Sequence, residues 1–137
     1  MIRKVLIALN SFLAITAIGG GLGLLTGFGA PPVELLQTSV FSSYLIPGLT
    51  LLLIVGGVSS IAVISLVRKH KWGKFISLLS ASAILIFEIV EVIVIGSPEG
   101  AGRNLQIFYF ALGFIIAILS VTLPGISRKS ETAESLR

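Results

Sequence analysis

The sequence predicts an all-α integral membrane protein, a bundle of four transmembrane helices with both termini in the cytoplasm. Three observations carry that reading. The 137 residues are 55% hydrophobic and only 12% charged, about half the charged share of an ordinary soluble domain, and mean hydropathy is +1.06. The apolar residues gather in four runs, Val5–Thr26, Tyr44–Val67, Phe75–Gly96 and Leu105–Leu123, each near the ~20 residues that cross a bilayer core. Nine of the ten basic residues fall on one side of those runs, and Lys and Arg accumulate on the cytoplasmic side of membrane proteins.

Runs of this length must be helices, because lipid offers no partner to an unpaired backbone N–H or C=O. Strands of an outer-membrane barrel would alternate apolar and polar residues, and these runs do not. Residues 1–126 are expected to form one four-helix domain, with 127–137 a polar, disordered cytoplasmic tail. There is no cysteine, no aspartate, and a single histidine, His70. That composition excludes disulfides, Cys/His zinc sites and Cys/His nucleophile pairs. No metal, cofactor or nucleic-acid partner is expected, and the net charge of +4 reads as membrane topology.

The first run follows Arg3 and Lys4 and is too long, without a clean A-x-A site, for a cleaved signal peptide, so it is expected to be retained. Its second half carries Gly19, Gly23 and Gly27 at GxxxG spacing, which lets a neighbouring backbone approach closely. Packing within the bundle is the expected use, a homodimer face the alternative. In the first connection Pro31 to Gln37 should form a short interfacial helix, with Pro32 and Glu34 suited to its first turn. Ser42 or Ser43 is a candidate N-cap for the second run, and Pro47 either opens that helix or kinks its first turns. The second connection, Arg68 to Lys74, is basic and holds Trp72 at the interface; it suits topology first and anionic headgroups second. His70 there reads as a solvated loop residue.

The third run is the informative one. Glu88 and Glu91 lie inside otherwise lipid-soluble sequence, and an ionisable residue in a span is costly enough to be a functional-site hypothesis by default. Three residues apart on a helix, they share a face, and Ser77, Ser80 and Ile84 continue it toward the cytoplasm. If Gly96 ends the helix, Glu91 lies ~7.5 Å and Glu88 ~12 Å below that end at 1.5 Å per residue. On the fourth run Gln106, Tyr109, Gly113, Ala117 and Ser120 line one small or polar side. Depth counted from Asn104 sets Tyr109 level with Glu91 and Gly113 level with Glu88. Arg103 is the one basic residue on the outward side. The candidate site is therefore Glu88, Glu91, Gln106 and Tyr109, opening outward, with Arg103 at its rim and Gly113 as a helix-packing position. A carboxyl buried beside another favours its neutral form, so Glu88 is expected to be at least partly protonated at neutral pH and Glu91 more often ionised.

The strings Tyr44-Leu45-Ile46-Pro47-Gly48-Leu49, Glu88-Ile89-Val90-Glu91 running on to Gly96, and Gln106 with Tyr109-Phe110-Ala111-Leu112-Gly113 resemble a family of small four-span bacterial membrane proteins. The resemblance covers the second to fourth helices. It implies a four-helix membrane protein and no particular activity.

Three functions compete. The first is a protein of the cytoplasmic membrane that binds or passes a small ligand or proton at Glu88 and Glu91, as a homo-oligomer if it transports. The second is an accessory subunit packed against a larger membrane complex, whose sign would be an unfilled Gly19/Gly23/Gly27 groove. An enzyme is disfavoured, because no nucleophile–base pair or metal set is visible. The purely structural use of the glutamates is weighed against the first: interhelical polar contacts return about 0.6 kcal/mol on average, whereas a bare mid-helix charge costs roughly 2.5–3.5 kcal/mol on insertion scales.

Overall fold

The apolar run after Met1 contains no residue that stops a helix until Gly27, and the computed structural model, which describes residues 1–28, 43–96 and 100–124, folds it as one helix, α1 (Ile2–Thr26). The helix starts three residues before Val5, so Arg3 and Lys4 ride on its first turn. Arg3 Nη1 donates to the carbonyl of Leu66 at 3.2 Å, where a cation complements the last turn of the neighbouring helix. Gly27 ends α1 in the left-handed conformation, φ 82°, a cap that glycine adopts without a Cβ clash.

The second helix, α2 (Leu45–Val67), has Tyr44 as its N-cap. Ser43 Oγ accepts from the Leu45 N–H at 3.3 Å. Pro47 is the third helical residue, where its missing N–H costs nothing, so it opens the helix and does not break it. One feature has no counterpart in the sequence reading: Thr50–Val55 is wound as a π-helix, with the Gly56 N–H reaching back five residues to Leu51 O. Such turns hold an extra residue within a helix.

A tight turn with Lys69 at φ 53° leads to α3 (Gly73–Ile95), which ends on Gly96. The fourth helix, α4 (Ala101–Thr122), follows Gly100 and begins four residues earlier than expected. All four helices are long and apolar enough to cross a membrane, and among the described residues there is no strand. The expected interfacial helix at Pro31 to Gln37, the Ser42 cap and the tail 127–137 lie outside the described residues.

Helices adjacent in sequence pack side by side, and α4 closes lightly back onto α1, where the Phe12 and Phe108 rings meet edge to face at 5.6 Å. The core holds Leu6, Leu13 and Ala17 of α1, Val55 and Leu66 of α2, Ala81 and Ile84 of α3, and Leu112 and Ile116 of α4. Polar side chains are buried among them. Asn10 Nδ2 donates to Ser77 Oγ at 3.0 Å, Ser77 and Ser120 share a hydrogen bond of 2.7 Å, and Ser59 and Ser80 share one of 3.0 Å. These contacts join α1 to α3, α3 to α4 and α2 to α3. The exterior is apolar in return, with Ile15, Leu53, Ile61, Ile86, Ile93 and Ile118 all exposed. Polar side chains drawn into the interior beneath an apolar exterior depart from the soluble pattern and suit a chain whose solvent is lipid.

The close contact between α1 and α2 falls on Gly21. A Cβ there would lie 2.7 Å from Leu52 Cβ and 2.8 Å from Leu52 N, inside the π-turn. Gly48 faces it across the seam, with Gly21 O 3.2 Å from where its own Cβ would stand. This corrects the expected packing stripe. Among the described residues, Gly19 and Gly27 have nothing within 4 Å of an added Cβ, and Gly23 meets the Phe28 carbonyl. The buried face of α1 runs through Leu6, Asn10, Leu13, Ala14, Ala17 and Gly21, and GxxxG spacing alone does not say which face is inward.

Candidate functional site

The polar face of α3 points into the bundle along its length: Ser77, Ser80, Ile84 and Glu88 are all buried, and Glu91, one turn further, is half-buried. Helical spacing alone puts the two carboxylates on the face that carries the serines. They lie toward the far end of the bundle, opposite Met1 and Pro124.

From α4, Gln106 is buried, Tyr109 half-buried and Arg103 exposed. Gln106 Nε2 donates to Gly96 O at 3.1 Å and to Glu91 Oε1 at 3.4 Å. Gly96 leaves α3 at φ 75°, so its carbonyl lies past the helical ladder and needs a partner from elsewhere. The amide of Gln106 thus closes the end of α3 and holds Glu91 with the same group. Arg103 stands one turn before Gln106 on the exposed side of α4.

The register of α3 against α4 corrects the expected levels. Ser77 meets Ser120, a Cβ on Gly113 would lie 3.0 Å from Ile84 Cγ2 and 2.8 Å from Leu85 Cδ2, and Gln106 meets Glu91. These three pairs follow one antiparallel register. It sets Gln106, not Tyr109, level with Glu91, and Tyr109 level with Glu88. Gly113 packs one turn below Glu88. The cause is the earlier start of α4: Ala101, not Asn104, is level with Gly96, which sets every later residue of the helix deeper than a count from Asn104.

Glu88 is 4% exposed and its Oε2 has no partner among the described residues; Gln106 Oε1 is in the same condition. A buried polar atom without a partner is costly, and native structures hold few of them. Near this level Phe87 and Tyr109 pack against the core, and the Tyr109 ring meets Phe108 edge to face at 5.3 Å. The third buried orphan, Asn10 Oδ1, belongs to the serine cluster nearer the termini. Asn10 is a lone amide in an apolar run, and that is the sequence signal that it faces inward.

The glycine-rich end of α1 forms a separate feature. Gly19, Gly20, Leu22, Gly23, Leu24, Thr26 and Phe28 line an open groove of about 370 Å³. Neither Glu88 nor Glu91 lines it.

No protein-family model, curated protein or solved structure matches the chain.

Proposed function

We propose that this is a small protein of the cytoplasmic membrane, with both termini in the cytoplasm, that binds or passes a small ligand or proton at an outward-facing site built on Glu88, Glu91 and Gln106. The orientation rests on the nine-to-one distribution of Lys and Arg and the positive-inside rule. It turns the far end of the bundle, and with it the carboxylates, to the outside. The observation that carries the function is Glu88: a buried carboxyl whose Oε2 has no partner among the described residues. A structural glutamate would be expected to hold a cross-helix hydrogen bond with that oxygen, as Gln106 does with its amide. Tyr109 and Arg103 complete the wall and rim in this reading. It makes the chain a binding or conducting protein and not an enzyme.

Flux into proteoliposomes tests it. The wild-type protein is expected to carry protons or a small solute above the rate of empty liposomes, and Glu88→Gln and Glu91→Gln are expected to bring that flux to background. Flux that survives both substitutions removes these side chains from transport.

A second reading, an accessory subunit seated against a larger membrane complex, is favoured by one observation: Gly19 is exposed and, among the described residues, has no atom within 4 Å of an added Cβ, on a face where glycines recur. A stoichiometric partner retained through purification and lost in Gly19→Leu would support that reading over the first.

A further inference from the structure

The end of the bundle opposite the carboxylates gathers basic residues that are far apart in the sequence. The Leu66 carbonyl, in the last turn of α2, accepts from Arg3 Nη1 at 3.2 Å and from the Lys69 N–H at 3.2 Å. The first turn of α1 is thus fastened to the connection that carries Arg68, Lys69 and Lys71. That connection is itself closed, by the His70 N–H on Ser65 O at 2.9 Å and the Gly73 N–H on His70 O at 3.0 Å. Lys4, Arg68, Lys69 and Lys71 are exposed, and Arg3 and Lys74 are half-buried.

Like charges gathered in this way repel one another and call for counter-charge. Among the described residues the acidic ones are Glu88 and Glu91, both at the other end. Residues 125–137 carry three basic and two acidic residues, so they add to the excess. The positive-inside rule asks only for Lys and Arg in the connections. It does not ask that Arg3 be held against a carbonyl 63 residues away.

Aromatic rings set the depth of this cluster. Trp72 and Phe75 are both exposed, and their rings meet edge to face at 5.8 Å. They flank Lys74 at the start of α3. Tryptophan at the end of a membrane span sits at headgroup level, so the cations and the rings share the depth at which a phospholipid passes from headgroup to acyl chain. A dissolved anion would use the cations and leave the rings without a role. We propose that Arg3, Lys4, Arg68, Lys69, Lys71 and Lys74, with Trp72 and Phe75 beside them, form a contact surface for anionic phospholipid, which is enriched around this end of the bundle. The surface is independent of the carboxylate site and of any transport through it.

Trp72 is the one tryptophan in the chain, so its fluorescence reports from within the surface. The test reconstitutes the full chain in phosphatidylcholine vesicles that contain a rising share of phosphatidylglycerol or of phosphatidylcholine with brominated acyl chains, and compares the quenching of Trp72. One basic residue near an anionic surface changes binding about fivefold. Relative affinity for phosphatidylglycerol is expected to exceed that for phosphatidylcholine at least severalfold, to fall at about 1 M salt, and to reach parity in the triple variant Arg68→Gln, Lys71→Gln, Lys74→Gln. The variant Arg128→Gln, Lys129→Gln, Arg137→Gln loses the same charge and is expected to keep the preference, as is the wild type when inorganic phosphate replaces chloride at equal ionic strength. Circular dichroism and gel filtration check the fold; a triple variant that fails them is replaced by the exposed Lys71→Gln, expected to lower the preference severalfold. Equal quenching by the two lipids in the wild type, a preference that survives the loss of the connection's charges, or one lost equally in the tail variant overturns the proposal. Loss of the preference in phosphate assigns the cations to a dissolved anion and overturns it too.

Discussion

Gln106 Nε2 lies 3.1 Å from the carbonyl oxygen of Gly96 and 3.4 Å from Glu91 Oε1. One amide of α4 therefore holds both the end of α3 and the carboxylate one turn inside it. The link depends on Gly96 leaving the helix at positive φ, which exposes its carbonyl, and on α4 starting at Ala101, which sets Gln106 down to the level of Glu91.

Gln106→Leu removes the donor from two acceptors, one of them a carboxylate. The expected loss is about 1–3 kcal/mol of stability, read as a lower unfolding midpoint in a detergent titration. Gln106→Glu, which keeps the shape and adds a third carboxyl, should lower it further at pH 8 than at pH 5, because like charges in one site repel. A midpoint unchanged in Gln106→Leu would show that the amide contributes nothing to the α3–α4 junction.

Gly21→Ala should destabilise the bundle, since its Cβ would stand 2.7 Å from Leu52 Cβ and 2.9 Å from Gly48 O. Overpacking of this kind costs about 1–3 kcal/mol. Gly19→Ala, with no atom within 4 Å of the new Cβ, should stay within about 0.5 kcal/mol of the wild type. Thermal unfolding of the two variants side by side checks the pair. Equal losses would place the α1–α2 seam on the wrong face.

Asn10 and Ser77 are joined by a 3.0 Å hydrogen bond between fully buried side chains of α1 and α3. A double-mutant cycle with Asn10→Leu and Ser77→Ala should give a coupling of about 0.6 kcal/mol, and no more than about 1.7. Coupling near zero would mean that the contact does not persist in the folded protein.

Much of this was legible in the sequence. Residue 88 reads as costly wherever it sits in the third run, and the serines at 77 and 80 fix the inward face at helical spacing. The side of α4 that carries Gln106 and Ser120 follows from the same periodicity, and both are buried. The packing glycine was available too. Asn10 is the one amide in α1, and three helical turns beyond it the same face reaches Gly21, whereas the GxxxG spacing at Gly19, Gly23 and Gly27 carries no phase of its own. The levels of α4 were not legible, because the depth of a helix depends on where its first turn begins. Gly100 and Ala101 do not mark that start as a polar cap would. The π-turn at Thr50–Val55 was not legible either: its residues are ordinary helix formers and β-branched aliphatics, and the turn lies where Gly21 presses α1 against the Leu52 backbone.

On the proposed function, Glu88 and Glu91 form a site reached from outside. Modification of intact, right-side-out vesicles with a membrane-impermeant carbodiimide and an amine nucleophile, followed by peptide mass spectrometry, addresses it directly. Half-buried Glu91 should be modified first and buried Glu88 more slowly, with little modification of either in inverted vesicles. Modification only from the inverted side, or of neither glutamate from either side while Glu131 and Glu134 react in inverted vesicles, would overturn this reading.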